Sequence, residues 1–324
     1  MAKPIIRTKG GRPLPVPERG GSIDELRPFL NIQERDFVLV AGLGVELYNP
    51  EGPYPIAFIT GPPDAAKTTL GRIIRNMADP HQADFRKIGT PIELILAAAN
   101  NHCLGLENVS YLTGDMADAL CTVSTGVGFG KRKLYTDGDE FLVQVGCPVI
   151  INGIPSDLAK RGDLADRAVV MRLPSLPANK HIPARVFKAR FEQAWPRLLG
   201  VFLDGVVGAL RDYDKVELGR MPRMVDFVSW SEAGCRAMGF KAGEFEKAYA
   251  RSQAWSLQIA AEDDIVVVGV AKMMQGRAEW RGKPTELLVE LRRVLQCCLG
   301  SWLRSCPVQC GSVGSIWIEP RVCC

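Results

Sequence analysis

Lys67 and Thr68 stand at the start of a helical repeat and directly after a Gly- and Pro-bounded turn. Upstream, the apolar run Ile56 to Ile59 ends at Gly61. Downstream, Leu70, Ile73, Ile74 and Met77 recur at the spacing of one helix face. Strand, loop and helix in that order suit phosphate binding. Backbone N–H groups of the turn and helix start face an anion, a lysine reaches the outer phosphates, and a threonine hydroxyl is offered to Mg²⁺. The pattern G-x-x-x-x-G-K-[ST] has Gly61 at its first position but Ala66 where the second glycine belongs.

Three further residues extend this chemistry. Glu107 closes the short apolar run from Cys103, 40 residues beyond Lys67, and a carboxylate at such a strand end can hold the Mg²⁺ shell. Asn152 ends the apolar strand from Pro148 and can position an attacking water. Arg167 opens the next strand, Ala168 to Leu173, and can reach a γ-phosphate, commonly that of a neighbouring subunit; such fingers are worth roughly 10³ to 10⁵ in rate. Each also has a plainer reading: an ordinary strand end for Glu107, a strand-capping amide for Asn152, and a salt bridge to Asp163 or Asp166 for Arg167.

The elements around these residues read as an α/β chain. Ser22 and Glu25 form a capping-box pattern that predicts a helix through Leu30, and a second helix is expected from Gln33 to Leu47. Helical patterning returns at Pro91 to Asn100 and Met116 to Val123. The basic cluster Lys131, Arg132 and Lys133 precedes Asp137-Gly138, a turn dipeptide that predicts a β-hairpin. Its three cations fit either a solvated loop or contact with a nucleic-acid backbone. From 183 to about 260 the pattern is helical: Phe187 to Trp195, Leu198 to Leu210, Met224 to Met238 and Ala242 to Gln258. Segments around 264 to 294 could form part of a winged-helix unit.

Composition sets the outer bounds. The 324 residues are 47% hydrophobic, 23% charged and 7% aromatic, as in soluble globular chains. The net charge of +4 is too small to mark a nucleic-acid binder alone. No apolar run reaches membrane-spanning length and no signal peptide is apparent, so a cytoplasmic location is expected. Of ten cysteines, Cys103, Cys121, Cys147 and Cys235 read as reduced thiols in apolar or small-residue surroundings. The other six crowd into the last 28 residues, without a histidine and without paired C-x₂-C spacing, which argues against zinc. The expected organisation is a flexible Gly- and Pro-rich arm over 1–21, a P-loop core with N-terminal helices over 22–180, a mainly helical domain over 181–294, and an atypical tail over 295–324, read as an out-of-frame replacement of a domain end. Lys3, Arg7, Lys9 and Arg12 in the arm offer a minor option for DNA contact.

Taken together, Gly61 to Thr69, Leu104 to Ser110, Asp118 through Glu140, Pro148 to Ile154, Asp163 to Arg167 and Arg220 to Phe227 resemble one family. The chain looks like the phage- and integrative-element-type ATP-binding proteins allied to viral and phage primase-helicase ATPases of the AAA+ kind. That resemblance spans roughly 28–290 and implies a P-loop NTPase fold with a parallel-rich sheet, flanking helices and a helical C-terminal part. It implies ATP phosphates cradled by Gly61, Ala66, Lys67, Thr68 and Thr69, and Mg²⁺ and water activation near Glu107 and Asn108. Asn152 would then be a γ-phosphate sensor, Arg167 an arginine finger acting in a homo-oligomer, and Lys131 to Lys133 a DNA-touching hairpin. Asp64 stands where the family favours glycine, and Glu107 where it favours Asp. The implied function is a helicase-like, DNA-remodelling ATPase of a phage or mobile element; the alternative is a nucleotide-binding module, or a relic that no longer hydrolyses ATP. A small-molecule kinase lacks any recognisable acceptor site.

Overall fold

A computed structural model describes residues 10–109, 112–126, 128–132, 140–153, 162–263, 265–296 and 316–318. Four parallel strands, β1 (Ile56–Thr60), β2 (Leu104–Val109), β5 (Val149–Gly153) and β6 (Ala168–Arg172), form a sheet in the order β2-β5-β1-β6. Both faces are covered, so these strands read as continuous apolar runs rather than as alternating ones. Side chains still divide by parity. Ala57, Ile59, Ile150, Val169 and Met171 enter one core with helices α1 (Phe37–Glu46), α2 (Lys67–Asn76), α6 (Ala184–Asp212) and α7 (Val225–Ala237). Ile56, Phe58, Val149, Ile151 and Val170 enter a second core with α3 (Pro91–Ala99) and α4 (Gly114–Thr125). A hairpin of β3 (Gly128–Arg132) and β4 (Glu140–Gln144) and the short α5 (Gly162–Ala165) complete this part.

The chain divides into two compact units, Met1–Leu257 and Gln258–Cys324. The first contains the whole sheet. Helices α6 and α7, read from sequence as the start of a second domain, share a core with α1 and α2. After α8 (Glu244–Asp263), the second unit holds α9 (Ile265–Met273), β7 (Trp280–Gly282), α10 (Pro284–Gln296) and β8 (Ile316–Ile318). Strands β7 and β8 pair antiparallel, with Trp280 opposite Ile318. The segment read as an out-of-frame tail therefore contributes a strand to this unit. Its six cysteines, on which the expectation against zinc rests, lie outside the described residues.

Local chemistry explains where the elements differ from the sequence expectations. The capping box at Ser22 and Glu25 is present, but the turn it opens, Ile23–Phe29, is 3-10, and Pro28 inside it has no N–H to extend an α-helical ladder. The expected helix from Gln33 begins as the 3-10 turn Glu34–Asp36 and becomes α-helical only at Phe37. The two helical segments separated at Pro196 are one helix of 29 residues.

Pro196 also holds the N-terminal stretch. The Glu18 N–H donates to the Pro196 carbonyl at 2.9 Å, and Arg197 bonds the Gly20 carbonyl and Glu25. At its other end, Arg12 N–H donates to the Pro80 carbonyl at 2.7 Å, and the Arg12 side chain bonds the His81 carbonyl and Asp84. The Gly- and Pro-rich segment read as a flexible arm is thus laid against the body from Gly10 onward. Residues 1–9, with Lys3, Arg7 and Lys9, lie outside the described residues.

Glu46, the last residue of α1, is fully buried, with Asn49 as its hydrogen-bond partner. Burial pushes its carboxyl well above the ordinary 4.5, against the smaller opposing effect of Asn49. The folded chain therefore holds this proton more tightly than the unfolded chain. Glu46's contribution to stability is complete below its ordinary pKa and is lost as pH rises through the raised folded value. Glu46→Gln is expected to melt about 2–4 °C higher than wild type at pH 7, with the difference vanishing near pH 4. Thermal melts across that range check it; a lower melting temperature for Glu46→Gln at pH 7 would contradict it.

Candidate phosphate-binding site

The loop after β1 is shaped by backbone constraints before any side chain acts. Thr60 accepts from the Leu173 N–H at 2.8 Å, which pins the end of β1 to the end of β6. Gly61 follows at φ +149°, and a Cβ there would lie 2.6 Å from the Leu173 carbonyl oxygen, so this position requires glycine. Asp64 and Ala66 both adopt left-handed backbone, at φ 60° and φ 66°. For an ordinary L-residue this costs roughly 1–2 kcal/mol, less for Asp.

The two residues fit that geometry differently. Ala66 departs from the motif's glycine at a position whose backbone conformation favours glycine. Asp64 fits its own left-handed position, since Asp is among the few residues that tolerate one, and its side chain is exposed.

Helix α2 begins immediately after Ala66, which has no side chain to cap the first-turn N–H groups. The Lys67 ammonium donates back to the Gly61 and Pro62 carbonyls at 2.9 and 2.7 Å. Thr68, one residue on, meets two strands. The Asn152 amide donates to its hydroxyl at 2.7 Å, and the hydroxyl faces Glu107 Oε1 at 3.4 Å. Sheet register explains the meeting: Glu107 on β2 is paired with Asn152 on β5, which is itself paired with Ile59 on β1. All three strands point their C-terminal ends at the start of α2.

The remaining sequence candidates are distributed around this cluster. Thr69 lies one residue further along α2 and lines an adjoining cavity. Asn108 follows Glu107 in β2, and only its backbone is described. Arg167 is not part of the cluster. It precedes β6, its carbonyl accepts from Ile56 N–H at the start of β1, and its guanidinium donates to the Asp163 carbonyl. The length of β1 therefore separates Arg167 from the loop, about 15 Å at ~3.3 Å per residue. Nearby, burial and Asp163 push the Cys121 thiol up to about 11, so it stays protonated at neutral pH. Lys131 and Arg132 lie on β3, with Arg132 opposite Glu140, which gives the expected hairpin; their side chains, and residues 133–139 including Lys133, lie outside what is described.

Two groups at the site carried no signal in the sequence reading. Arg172 ends β6 opposite Thr60, exposed, with its guanidinium 5.9 Å from the Trp255 ring centre. Asn31 donates to the Ala65 carbonyl at 3.1 Å and the Pro174 carbonyl at 2.7 Å. Arg172 could have been found by counting along β6 from Arg167; Asn31 belongs to no motif.

Beside the loop lies a cavity of about 1070 Å³ whose wall includes Ala66, Thr69 and Ile73 of α2. Phe29, Phe187, Phe191 and Trp195 line its aromatic side, with Phe29 packed edge-on against Phe187 and Phe191 of α6. The size is at the upper end for small-molecule sites, which are commonly apolar with a few polar groups. Among the described residues no cluster of three His, Cys, Asp or Glu could hold a metal ion. Thr68 and Glu107 instead offer the hard oxygen atoms that Mg²⁺ takes when phosphates supply the rest of its shell.

A parallel sheet covered on both faces, with a strand–turn–helix of phosphate-loop shape at its C-terminal edge, places this chain among the α/β proteins of the P-loop type. More narrowly, residues 23–250 match the family of actinomycete integrative conjugative element replication proteins, and the chain belongs to that family. No curated protein sequence matches it. Among solved structures, the apo A form of the NrS-1 C-terminal region aligns at 15% identity and TM-score 0.40, over 57% of this chain and 46% of that one. JCV helicase aligns at 12% identity and TM-score 0.31, over 74% of this chain and 66% of that one. The chain thus spans about half of the first and just under two thirds of the second. No helix among the described residues is long and apolar enough to cross a membrane.

The loop geometry makes its own prediction. Ala66→Gly removes a left-handed alanine and is expected to stabilise the fold by about 1 kcal/mol, a rise in melting temperature of about 2–4 °C. An unchanged or lower melting temperature would show that Ala66 carries no such strain.

Proposed function

We propose that this replication protein is a P-loop ATPase that remodels DNA in a helicase-like manner, akin to the primase-helicase ATPases. The observation that carries the reading is the contact of Thr68 with both Asn152 and Glu107, next to Lys67 at the start of α2. In this reading the loop N–H groups and the N-terminus of α2 bind the ATP phosphates. The Lys67 ammonium turns from the Gly61 and Pro62 carbonyls to the outer phosphate oxygens. Thr68 and Glu107 would hold Mg²⁺, which would supply positive charge against the negative charge that develops on the phosphates. The extra methylene of Glu107, relative to Asp, still brings its carboxylate to 3.4 Å from the Thr68 hydroxyl. Asn152, fixed by Thr68, orients the attacking water or the γ-phosphate.

Arg167 is too far along the sheet to serve the loop of its own chain, which supports its acting on ATP held by a neighbouring copy in a homo-oligomer. Membership of a replication family supports DNA as the partner. The hairpin bearing Lys131 and Arg132 is the proposed contact.

Phosphate release with and without single-stranded DNA tests the proposal. The wild-type chain is expected to release phosphate, faster with DNA, and Lys67→Ala to lose at least about 100-fold of that rate. Arg167→Ala is expected to lose DNA-stimulated release while still binding ATP. Equal release from wild type and Lys67→Ala would overturn the reading. ATP binding with no release under any condition would replace it with a nucleotide-binding module.

A further inference from the structure

A left-handed residue other than glycine persists where its surroundings over-determine it. Ala65, fully buried, lies between two such residues, Asp64 and Ala66. Its carbonyl is held from outside the loop by the side chain of Asn31, which lies 34 residues earlier in the chain. The Asn31 amide nitrogen has two hydrogens, and it donates to two backbone carbonyls, Ala65 at 3.1 Å and Pro174 at 2.7 Å.

The geometry of a trans peptide gives that contact a consequence. C=O and N–H of one peptide unit point to opposite sides. Turning the Ala65 carbonyl toward Asn31 therefore turns the Ala66 N–H away from Asn31. Ala66 (φ 66°, ψ 30°) followed by helical Lys67 is a left-handed–right-handed pair, the backbone arrangement whose N–H groups converge into an anion-binding concavity. The second bond ties this peptide to the exit of β6, where Leu173 already bonds Thr60 and crowds Gly61.

Resting on the phosphate-loop reading above, we propose that Asn31 is a positioning residue, whose paired bonds to the Ala65 and Pro174 carbonyls hold the Ala65–Ala66 peptide so that the loop N–H groups face a bound phosphate. It touches no reacting atom and acts through the loop backbone.

Hydrogen exchange of the 61–70 peptide without nucleotide and ATP affinity, both on the full chain, test the proposal with Asn31→Ala, Asn31→Gln and Asn31→Ala combined with Ala66→Gly. Asn31→Ala is expected to speed loop exchange and weaken ATP binding about tenfold each, while exchange in β1 and α7 stays at the wild-type rate. Asn31→Gln keeps both donors and is expected to recover part of the affinity. Ala66→Gly is expected to recover more, since glycine adopts φ 66° without the clamp. Unchanged loop exchange in Asn31→Ala would overturn the proposal. So would equal losses in Asn31→Ala and Asn31→Gln accompanied by faster exchange throughout the fold, the signature of a purely structural role. If the wild-type chain binds no ATP, the phosphate-loop reading fails, and loop exchange alone decides whether Asn31 positions the loop.

Discussion

The site depends on one hydroxyl. Thr68 Oγ1 accepts from Asn152 and faces Glu107, so the first turn of α2 is joined to the ends of β5 and β2 through a single atom. That junction requires a parallel sheet in fixed register. A slip of one residue in either strand would turn Glu107 or Asn152 to the other face of the sheet, away from Thr68. The register is enforced by burial on both sides, because a slip would also exchange the side chains that fill the two cores. Packing far from the loop thus sets distances inside it.

The same sheet gives the molecule its polarity. Lys67, Thr68, Glu107 and Asn152 gather at the C-terminal ends of the strands, where open α/β sheets bind ligands. Arg167 stands at the opposite end of β6. A cation there is held by the Asp163 carbonyl and is separated from its own loop by a strand's length. In the proposed homo-oligomer, that separation leaves Arg167 for the loop of another copy.

Much of this was legible in the sequence because its signals are local. An apolar run ending in Gly61, followed by Lys67-Thr68 and a helical repeat, has few structural solutions. Glu107 and Asn152 were readable as polar residues that terminate apolar strands. The unreadable parts depend on contacts remote in sequence. Gly10 to Gly21 has the composition of a loose arm, yet its backbone bonds to Pro80, Gln82 and Pro196, partners that composition does not reveal. Pro196 reads as a helix break but lies inside one continuous helix, where its carbonyl receives Glu18. Asp64 looks like a misplaced carboxylate until its φ is known. Asn31 is an ordinary polar residue whose importance comes from two carbonyls brought to it by the fold.

In the proposed ATPase the Thr68, Glu107 and Asn152 cluster handles the γ-phosphate, and Asn152 is its most selective probe. ATP binding and phosphate release measured side by side for Asn152→Ala and wild type give the direct test. Binding is expected to stay within about threefold of wild type while release falls by roughly 100-fold, as when a donor that serves mainly the transition state is removed. A wild-type release rate in Asn152→Ala would contradict the account.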